Sequence, residues 1–333
     1  RAWLRQGLVT AQVAMALLLL VAAGLFLRSL QQAASVDLGF QVDRVDTLQI
    51  DTRVGGYRSD AEGVRVVEAL MDRFRTVPGV AAVGASRMVP LFSGSIGLGA
   101  LRAPGFTGGP DGSDEVAASW DVVTPGYFDA LGIPITRGRA FDARDSARAT
   151  PVAIINEHMA DTLWPGQDPI GRQLVQQAGA EERRTLEVIG VARTAKYVSL
   201  SEAPSPFIYV PHAQQFMSDM TFHVRHVNRT SRLADLRRAV ADFDPNLPVL
   251  YTQPLAQTTA FALLPQRIAG WMAGSISAIG LLLAALGLYG LTAFTVAQRT
   301  REIAVRVALG ATRAAVLGLV FRQAGRTAVL GTL

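Results

Sequence analysis

The sequence from Ile268 to Ala297 reads IAGWMAGSISAIGLLLAALGLYGLTAFTVA, thirty residues without one charged side chain. An α-helix rises about 1.5 Å per residue, so this stretch would measure roughly 45 Å, more than a hydrocarbon core requires. Such length and apolarity are unusual for a helix in a soluble core. We therefore predict a transmembrane helix over 267–297, tilted or projecting from the bilayer as a stalk.

A second apolar stretch stands near the beginning of the chain. Val9 to Leu27 is almost wholly apolar and would span roughly 28 Å as a helix. A secretory signal peptide is the alternative, because the residues after Arg28 resemble a processing site. The apolar run is longer than the apolar region of such a peptide, which favours a first transmembrane helix over 1–28.

A third apolar stretch begins at Ala314 and is still apolar at Leu333. The chain starts with Arg1 rather than methionine, so we expect a segment of a longer protein whose third membrane helix begins within 314–333. The turn before it, 298–313, is rich in arginine. By the positive-inside rule this turn is cytoplasmic.

The same rule orients the rest of the chain. Arg1 and Arg5 precede the first helix and belong inside, which places residues 29–266 outside the membrane. Both helices give the same orientation. The sequence thus predicts transmembrane α-helices plus an α+β extracytoplasmic domain, in a multi-pass protein of a bacterial inner membrane.

The charge distribution argues against nucleic acid as a partner. The net charge is +5, but the basic excess lies beside the apolar stretches, and residues 29–266 carry 22 basic and 26 acidic side chains. Basicity of this kind flanks membrane helices instead of lining a groove. The chain has no cysteine, and Lys196 stands between Ala195 and Tyr197, so no Walker A loop is present.

The extracytoplasmic region repeats one order of strand, helix, proline and strand. The first copy runs from 45 to 85, with Val67 and Leu70 at helical spacing; the second runs from 221 to 251, with Ser231 as the expected N-cap. We infer two split βαβ-like units that pack together, with a mixed α/β part inserted between them.

Residue patterns for catalysis or metal binding are weak, and we predict neither a cofactor nor a metal. His223 and His226 would point to opposite faces of a strand, which favours structural or surface roles over a ligand pair. No G-x-S-x-G elbow occurs. Asp142 and Asp145 are expected to be solvated loop carboxylates rather than paired catalytic acids.

The arginine-rich segment 298–313 has sequence features that a positively charged topology anchor does not require. Glu302 and Arg306 stand four residues apart in the favoured orientation for a helical ion pair, and Gly310 is a natural helix end. A mere anchor requires neither the acid nor an apolar face. We predict a short cytoplasmic helix offered to a partner, within the coupling segment 298–313.

Several motifs resemble the MacB/FtsX-type ABC permease family, closest to its acidobacterial duplicated orphan permease branch. The matching stretches are Leu288-Tyr289-Gly290, Ala297–Ile303, Ala308–Ala311, Thr124–Arg139, Val152–Glu157 and Leu163–Gly171. They occur in order along nearly the whole chain. The resemblance implies a porter-like subdomain, here 29–90 with 216–266, and an inserted subdomain, here 91–215.

The resemblance also implies partners and a mechanism. Its members have four transmembrane helices per permease unit and work with a cytoplasmic ABC ATPase, a second permease unit and, in export systems, a periplasmic adaptor. ATP-driven closure is transmitted through the long second helix to the outer domain. By similarity the ATPase would dock on a segment that includes Arg299, Arg301, Glu302, Arg306 and Gly310.

The sequence therefore predicts a non-enzymatic permease that couples cytoplasmic ATP hydrolysis to movement of an extracytoplasmic domain, for export or envelope remodelling. A transmembrane signalling receptor, with an outer sensor between two spans, is the main alternative. An envelope hydrolase is the third, and the absent catalytic motifs count against it.

Overall fold

The computed structural model describes residues 37–92, 100–109, 112–177, 183–228, 230–262, 264–298 and 300–308, and seven positions between 14 and 28. The chain divides into two compact units: Val36–Leu263 is one, and Arg1–Ser35 with Leu264–Leu333 is the other. The unit Val36–Leu263 combines one mixed sheet with packed helices. The predicted α+β class of this region is therefore confirmed.

Strands and helices alternate along the described residues of Val36–Leu263. They are, in chain order, β1 (Val45–Asp51), α1 (Asp60–Arg75), β2 (Val80–Ser86), β3 (Ala100–Arg102), β4 (Glu115–Val116), β5 (Ser119–Val123), α2 (Tyr127–Leu131), β6 (Ile135–Gly138), β7 (Val152–Asn156), α3 (Glu157–Leu163), β8 (Gln173–Gln177), β9 (Arg183–Ala192), β10 (Phe207–Pro211), β11 (Asp219–His226), α4 (Leu233–Phe243), β12 (Val249–Pro254) and α5 (Leu255–Ala262). The strands follow the order β12-β1-β11-β2-β5-β10-β7-β9-β8-β3-β4, and β6 pairs with β9.

Two β–α–β units interleave at the first edge of the sheet. The unit β1-α1-β2 and the unit β11-α4-β12 alternate in the order β12-β1-β11-β2, with antiparallel neighbours throughout. In each unit the helix connects two strands that are separated by one strand of the other unit. The two strands of a unit are therefore not neighbours in the sheet. The ranges 29–90, 91–215 and 216–266 stay predicted boundaries, because one sheet runs through all three.

Helix α1 shows why this part of the sequence folds as it does. Ser59 caps the helix in a capping box with Glu62, so both side chains satisfy free backbone N–H groups of the first turn. Leu70 and Phe74 recur on the buried face, and the Phe74 ring meets Phe222 of β11 edge-on at 5.0 Å. Helices α1 and α4 share this core with three strands.

The sheet continues into the inserted part through a narrow connection. Ser86 of β2 pairs with Val123 of β5, and the strands beyond include the parallel pairs β5–β10 and β7–β9. Strand β7 is buried along its whole length. Ile154 enters one apolar core and Ile155 the other, on opposite faces, as the two-residue period of a strand requires.

Helix α2 lies so close to strand β2 that glycine is required at the contact. Gly126 has φ 89° and begins the helix, and a Cβ there would lie 2.4 Å from the Val83 carbonyl oxygen. A Cβ added at Gly84 would lie 2.4 Å from the backbone of Tyr127. The Pro125-Gly126 step therefore opens helix α2 and also joins the inserted part to β2.

The other unit is described through two helices, α6 (Leu264–Gln298) and α7 (Thr300–Ala308). Helix α6 covers the predicted span 267–297. Over the positions that are described, no helix has both the length and the hydropathy of a membrane span. The predicted span 1–28 is described at seven positions only, and 314–333 lies outside the described residues. The three transmembrane helices stay predictions.

Candidate functional site

The predicted coupling segment is described through its backbone. Helix α7 contains the positions of Arg301, Glu302 and Arg306, and Thr300 Oγ1 donates to the Ala297 carbonyl oxygen at 2.8 Å. The Arg301 side chain is exposed. The side chains of Glu302 and Arg306, and both Arg299 and Gly310, lie outside the described residues. Their role in binding an ATPase stays a prediction.

The described site with the most specific geometry is the junction where the chain enters and leaves the sheet. Strands β1 and β12 are antiparallel neighbours, with Asp46 opposite Pro254 and Thr47 opposite Gln253. Thr47 Oγ1 donates to the Gln253 carbonyl oxygen at 2.7 Å. The first strand thus starts where the last strand ends, at one end of the sheet.

A buried carboxylate holds this junction to the start of helix α4. Asp46 Oδ2 accepts from His226 Nε2 at 2.9 Å, from Ser231 Oγ at 2.9 Å and from the Arg232 amide at 2.7 Å. Asp46 is 2% exposed and His226 is 3% exposed. One carboxylate therefore fixes the end of β11, the start of α4 and the start of β1.

Three hydrogen bonds explain the charge state of this carboxylate. Burial alone acts to raise the pKa of Asp46, but the bonds from His226, the Arg232 amide and Ser231 outweigh it and hold the pKa below its ordinary value. The group is ionised at neutral pH. A buried carboxylate with three donors forms a directional link between elements far apart in the chain.

The outgoing chain stays anchored after the sheet ends. Leu255, the first residue of α5, is fully buried in the core that also contains Val45 and Tyr127. Gln253 Nε2 donates to Thr258 Oγ1 at 2.7 Å, and Thr258 is fully buried. Side-chain packing and hydrogen bonds therefore continue from β12 into α5 without a break.

Sequence patterns do not predict this junction, and they misassign one of its residues. Ser231 is the expected N-cap of α4, but the helix begins after Arg232 without a side-chain cap, and Ser231 donates to Asp46 instead. The donor and acceptor are 185 residues apart. No local sequence pattern predicts such a contact, because a serine just before a helix is normally expected to cap that helix.

Two further predictions meet different outcomes. His223 and His226 are both buried and hydrogen-bonded, which agrees with structural roles. A register shift falls between Arg225 and His226, so strict strand alternation does not extend to His226. The prediction that Asp145 is solvated is wrong: it is 4% exposed and accepts two hydrogen bonds from Arg139.

A buried serine and a buried histidine contact each other in the core, but the serine is not an activated nucleophile. Ser86 Oγ donates to the Met88 carbonyl and lies 2.8 Å from His223 Nε2. Because the serine proton is already used, Nε2 is the donor, and burial lowers the pKa of His223 to about 3. His223 Nδ1 has no partner among the described residues, and Asp121 accepts from the Met88 amide. A catalytic triad needs the opposite arrangement.

Comparison with known families identifies matches over both units. A family model described as MacB-like periplasmic core domain matches residues 7–243, and one described as FtsX-like permease C-terminal matches residues 274–333. The first match covers well over half of the chain. These matches favour the predicted permease over the signalling receptor.

Two named relatives share between a quarter and a third of their aligned residues with this chain. The macrolide export ATP-binding/permease protein MacB of Azoarcus sp. is 29% identical over 212 residues, which cover 59% of this chain and 29% of that protein. The pyoverdine export ATP-binding/permease protein PvdT of Pseudomonas aeruginosa is 26% identical over 223 residues, covering 62% of this chain and 32% of that protein. The chain spans about a third of the length of these relatives.

Solved structures also align with the chain. The periplasmic region of MacB from Actinobacillus actinomycetemcomitans aligns with 67% of this chain and 94% of its own, with a TM-score of 0.43 and 14% identity. The extracellular domain of the ABC-type transporter YknZ from Gram-positive bacteria aligns with 62% of this chain and all of its own, with a TM-score of 0.39 and 17% identity.

Proposed function

Because this chain belongs to the MacB-like periplasmic core domain family with an FtsX-like permease part, we propose that it is a permease unit of an ABC transporter. It couples cytoplasmic ATP hydrolysis to movement of the extracytoplasmic region 29–266, for export or envelope remodelling. This sequence has no Walker A loop, so the ATP-binding site would be supplied by an ATPase outside these 333 residues.

The junction of β1 and β12 is the observation that supports this proposal best. The chain enters and leaves the sheet at one end, so the segments that continue toward the predicted membrane helices start side by side. The Asp46 cluster and the buried Leu255 fix both segments to the sheet. A displacement applied to either segment would therefore move the whole sheet, as a packed interior transmits strain.

The proposed partners follow from the same mechanism. An ABC ATPase would bind the cytoplasmic coupling segment 298–313, a second permease unit would complete the membrane part, and a periplasmic adaptor would join in export. The protein would then be a multi-pass protein of the bacterial inner membrane, surrounded by lipid. The curated relatives combine ATP-binding and permease parts, which supports an ATPase partner.

Loss of the coupling residues tests the proposal. In the full-length protein purified from native membranes, we expect Glu302→Gln and Arg306→Gln to lower the co-purifying ATPase activity about tenfold, because each removes an interfacial charge. Arg237→Gln is the matched control, since Arg237 is exposed on α4 in the other unit. If all three variants had the same ATPase activity per mole of purified protein as the unmodified protein, the docking role would be contradicted.

A further inference from the structure

A cleft of about 420 Å³ lies between helix α1, the loop after β6 and the end of strand β10. Its volume falls in the range of small-molecule sites, which is roughly 300–1,000 Å³. Apolar side chains and a few convergent polar groups share its walls, as in such sites. The residues that matter for its chemistry are Glu68, Met71, Asp72, Asp142, Asp145 and His212.

One wall is a single face of helix α1. Glu68, Met71, Asp72 and Arg75 follow the spacing that places residues on one side of a helix. Arg75 and Asp72 form an ion pair at 2.6 Å, so their charges cancel. Glu68 is exposed and makes no ion pair with any described residue. This wall therefore carries one negative charge that nothing described neutralises.

The charges of the wall formed by the loop after β6 are paired. Arg139 binds Asp145 through two hydrogen bonds of 2.7 and 2.8 Å. Arg144 binds Asp142 through Nη2 at 2.6 Å and Nε at 3.0 Å. These carboxylates are committed to guanidinium partners in fork geometry, which leaves them poor ligands for a metal ion. Four carboxylates and three guanidiniums thus leave the cleft with one net negative charge.

A buried histidine adds a hydrogen-bond acceptor to the third wall. His212 lines the cleft, yet only 2% of it is exposed. Its Nε2 donates to the Met217 carbonyl oxygen at 3.1 Å, and its Nδ1 has no partner among the described residues. Burial lowers the pKa of His212, so the ring is neutral at pH 7 and Nδ1 is a free acceptor.

We propose that this cleft binds a small organic cation with a single positive charge, an ammonium or amidinium group on an apolar body. The charged group would pair with Glu68 and donate to His212 Nδ1, while Met71 and the two prolines Pro125 and Pro211 would contact the apolar body. We propose a ligand with one positive charge because the cleft has one negative charge that is not neutralised. This site goes beyond the proposed permease function and does not depend on it.

Benzamidine is a suitable probe, with benzamide as its neutral counterpart of the same shape. In the purified full-length protein, titration calorimetry is expected to show benzamidine binding at least tenfold more tightly than benzamide. Glu68→Gln should reduce benzamidine affinity about tenfold. Asp161→Asn, which removes an exposed carboxylate from α3, should leave it unchanged.

A steric variant keeps the test decisive. Ala143 lines the cleft and is exposed, so Ala143→Trp should block binding of both probes without disturbing the fold, which a thermal melt checks. Equal binding of benzamidine and benzamide, or unchanged affinity in both Glu68→Gln and Ala143→Trp, would overturn the proposal. Loss of affinity in those two variants alone would support it.

Discussion

Strands β7 and β12 belong to one sheet but are held in different ways. Every residue of β7 is buried between two apolar cores. Strand β12 forms the edge and is only half-buried, and its surroundings depend on directed hydrogen bonds around Asp46. Apolar packing makes the centre strong, whereas hydrogen bonding gives the junction one defined geometry. We expect stability to reside in the first region and the transmission of movement in the second.

The largest effect is expected at the centre. Ile154→Ala should lower the free energy of unfolding by about 2–5 kcal/mol, because it opens a cavity in a fully buried strand. Val249→Ala in β12 should cost less, since Val249 is only partly buried. Denaturant titration followed by tryptophan fluorescence measures both. Equal losses would remove the contrast between the two strands.

The free energy of unfolding should depend on pH because His223 is buried in its neutral form. The pKa of His223 is about 3 in the folded protein and near 6.5 in the unfolded protein. The contribution of the neutral His223 to the free energy of unfolding is therefore complete above pH 6.5 and is lost as the pH falls toward 3. The expected slope is about 1.4 kcal/mol per pH unit. Unfolding of the protein and of His223→Gln, compared from pH 7 to 4, isolates this slope.

The comparison with His223→Gln is needed because another buried group acts in the opposite direction. Burial raises the pKa of Asp121 well above its ordinary value, so Asp121 favours the folded state as pH falls. This contribution is common to both proteins and cancels in their difference. A difference that stays constant across the range would contradict the neutral, desolvated state of His223.

A smaller effect is expected at the junction. Asp46→Ala leaves three donors without an acceptor, of which His226 Nε2 is buried, and should cost about 1–3 kcal/mol. Hydrogen exchange should accelerate locally, at the start of α4 and of β1. Asp72→Ala is the control, because its carboxylate is 75% exposed and its ion pair contributes little. Uniform acceleration over the whole unit would argue against a local role.

The smallest effect is expected at the start of helix α1. Ser59→Ala removes the N-cap of α1 and should cost about 1 kcal/mol, while Ser59→Asp should be nearly neutral because aspartate caps equally well. The melting temperatures of the two variants, measured by thermal denaturation, test this difference. If both variants behave alike, the capping box does not contribute as the geometry indicates.

Much of this fold could be predicted from sequence, because local patterns encode it. Alternating residues near Val45, helical spacing around Leu70 and the Pro-Gly break after α1 predict the order of the interleaved units. Strands β6 and β8 have no recognisable pattern, since short strands with mostly exposed or mixed residues lack a clear period. The predicted elements agree in type with the structure wherever the apolar period is clear.

The candidate site was less predictable, for a physical reason. Asp46 and His226 are 180 residues apart, and only the pairing of β1 with β11 brings them together. The burial of Asp145 likewise depends on Arg139 folding back over a tight loop. Sequence patterns report periodicity within one element, whereas these contacts depend on the register between elements.

Motion at the junction tests the central claim most directly. The chain has no cysteine, so spin labels at Asp43→Cys and Ala256→Cys, which line one small cavity, report a single distance across the junction. Measured in the full-length transporter, we expect one narrow distance distribution, identical with and without ATP, that broadens in Asp46→Ala. A distance that changes with ATP in the unmodified junction would contradict rigid transmission of movement from the membrane to the sheet.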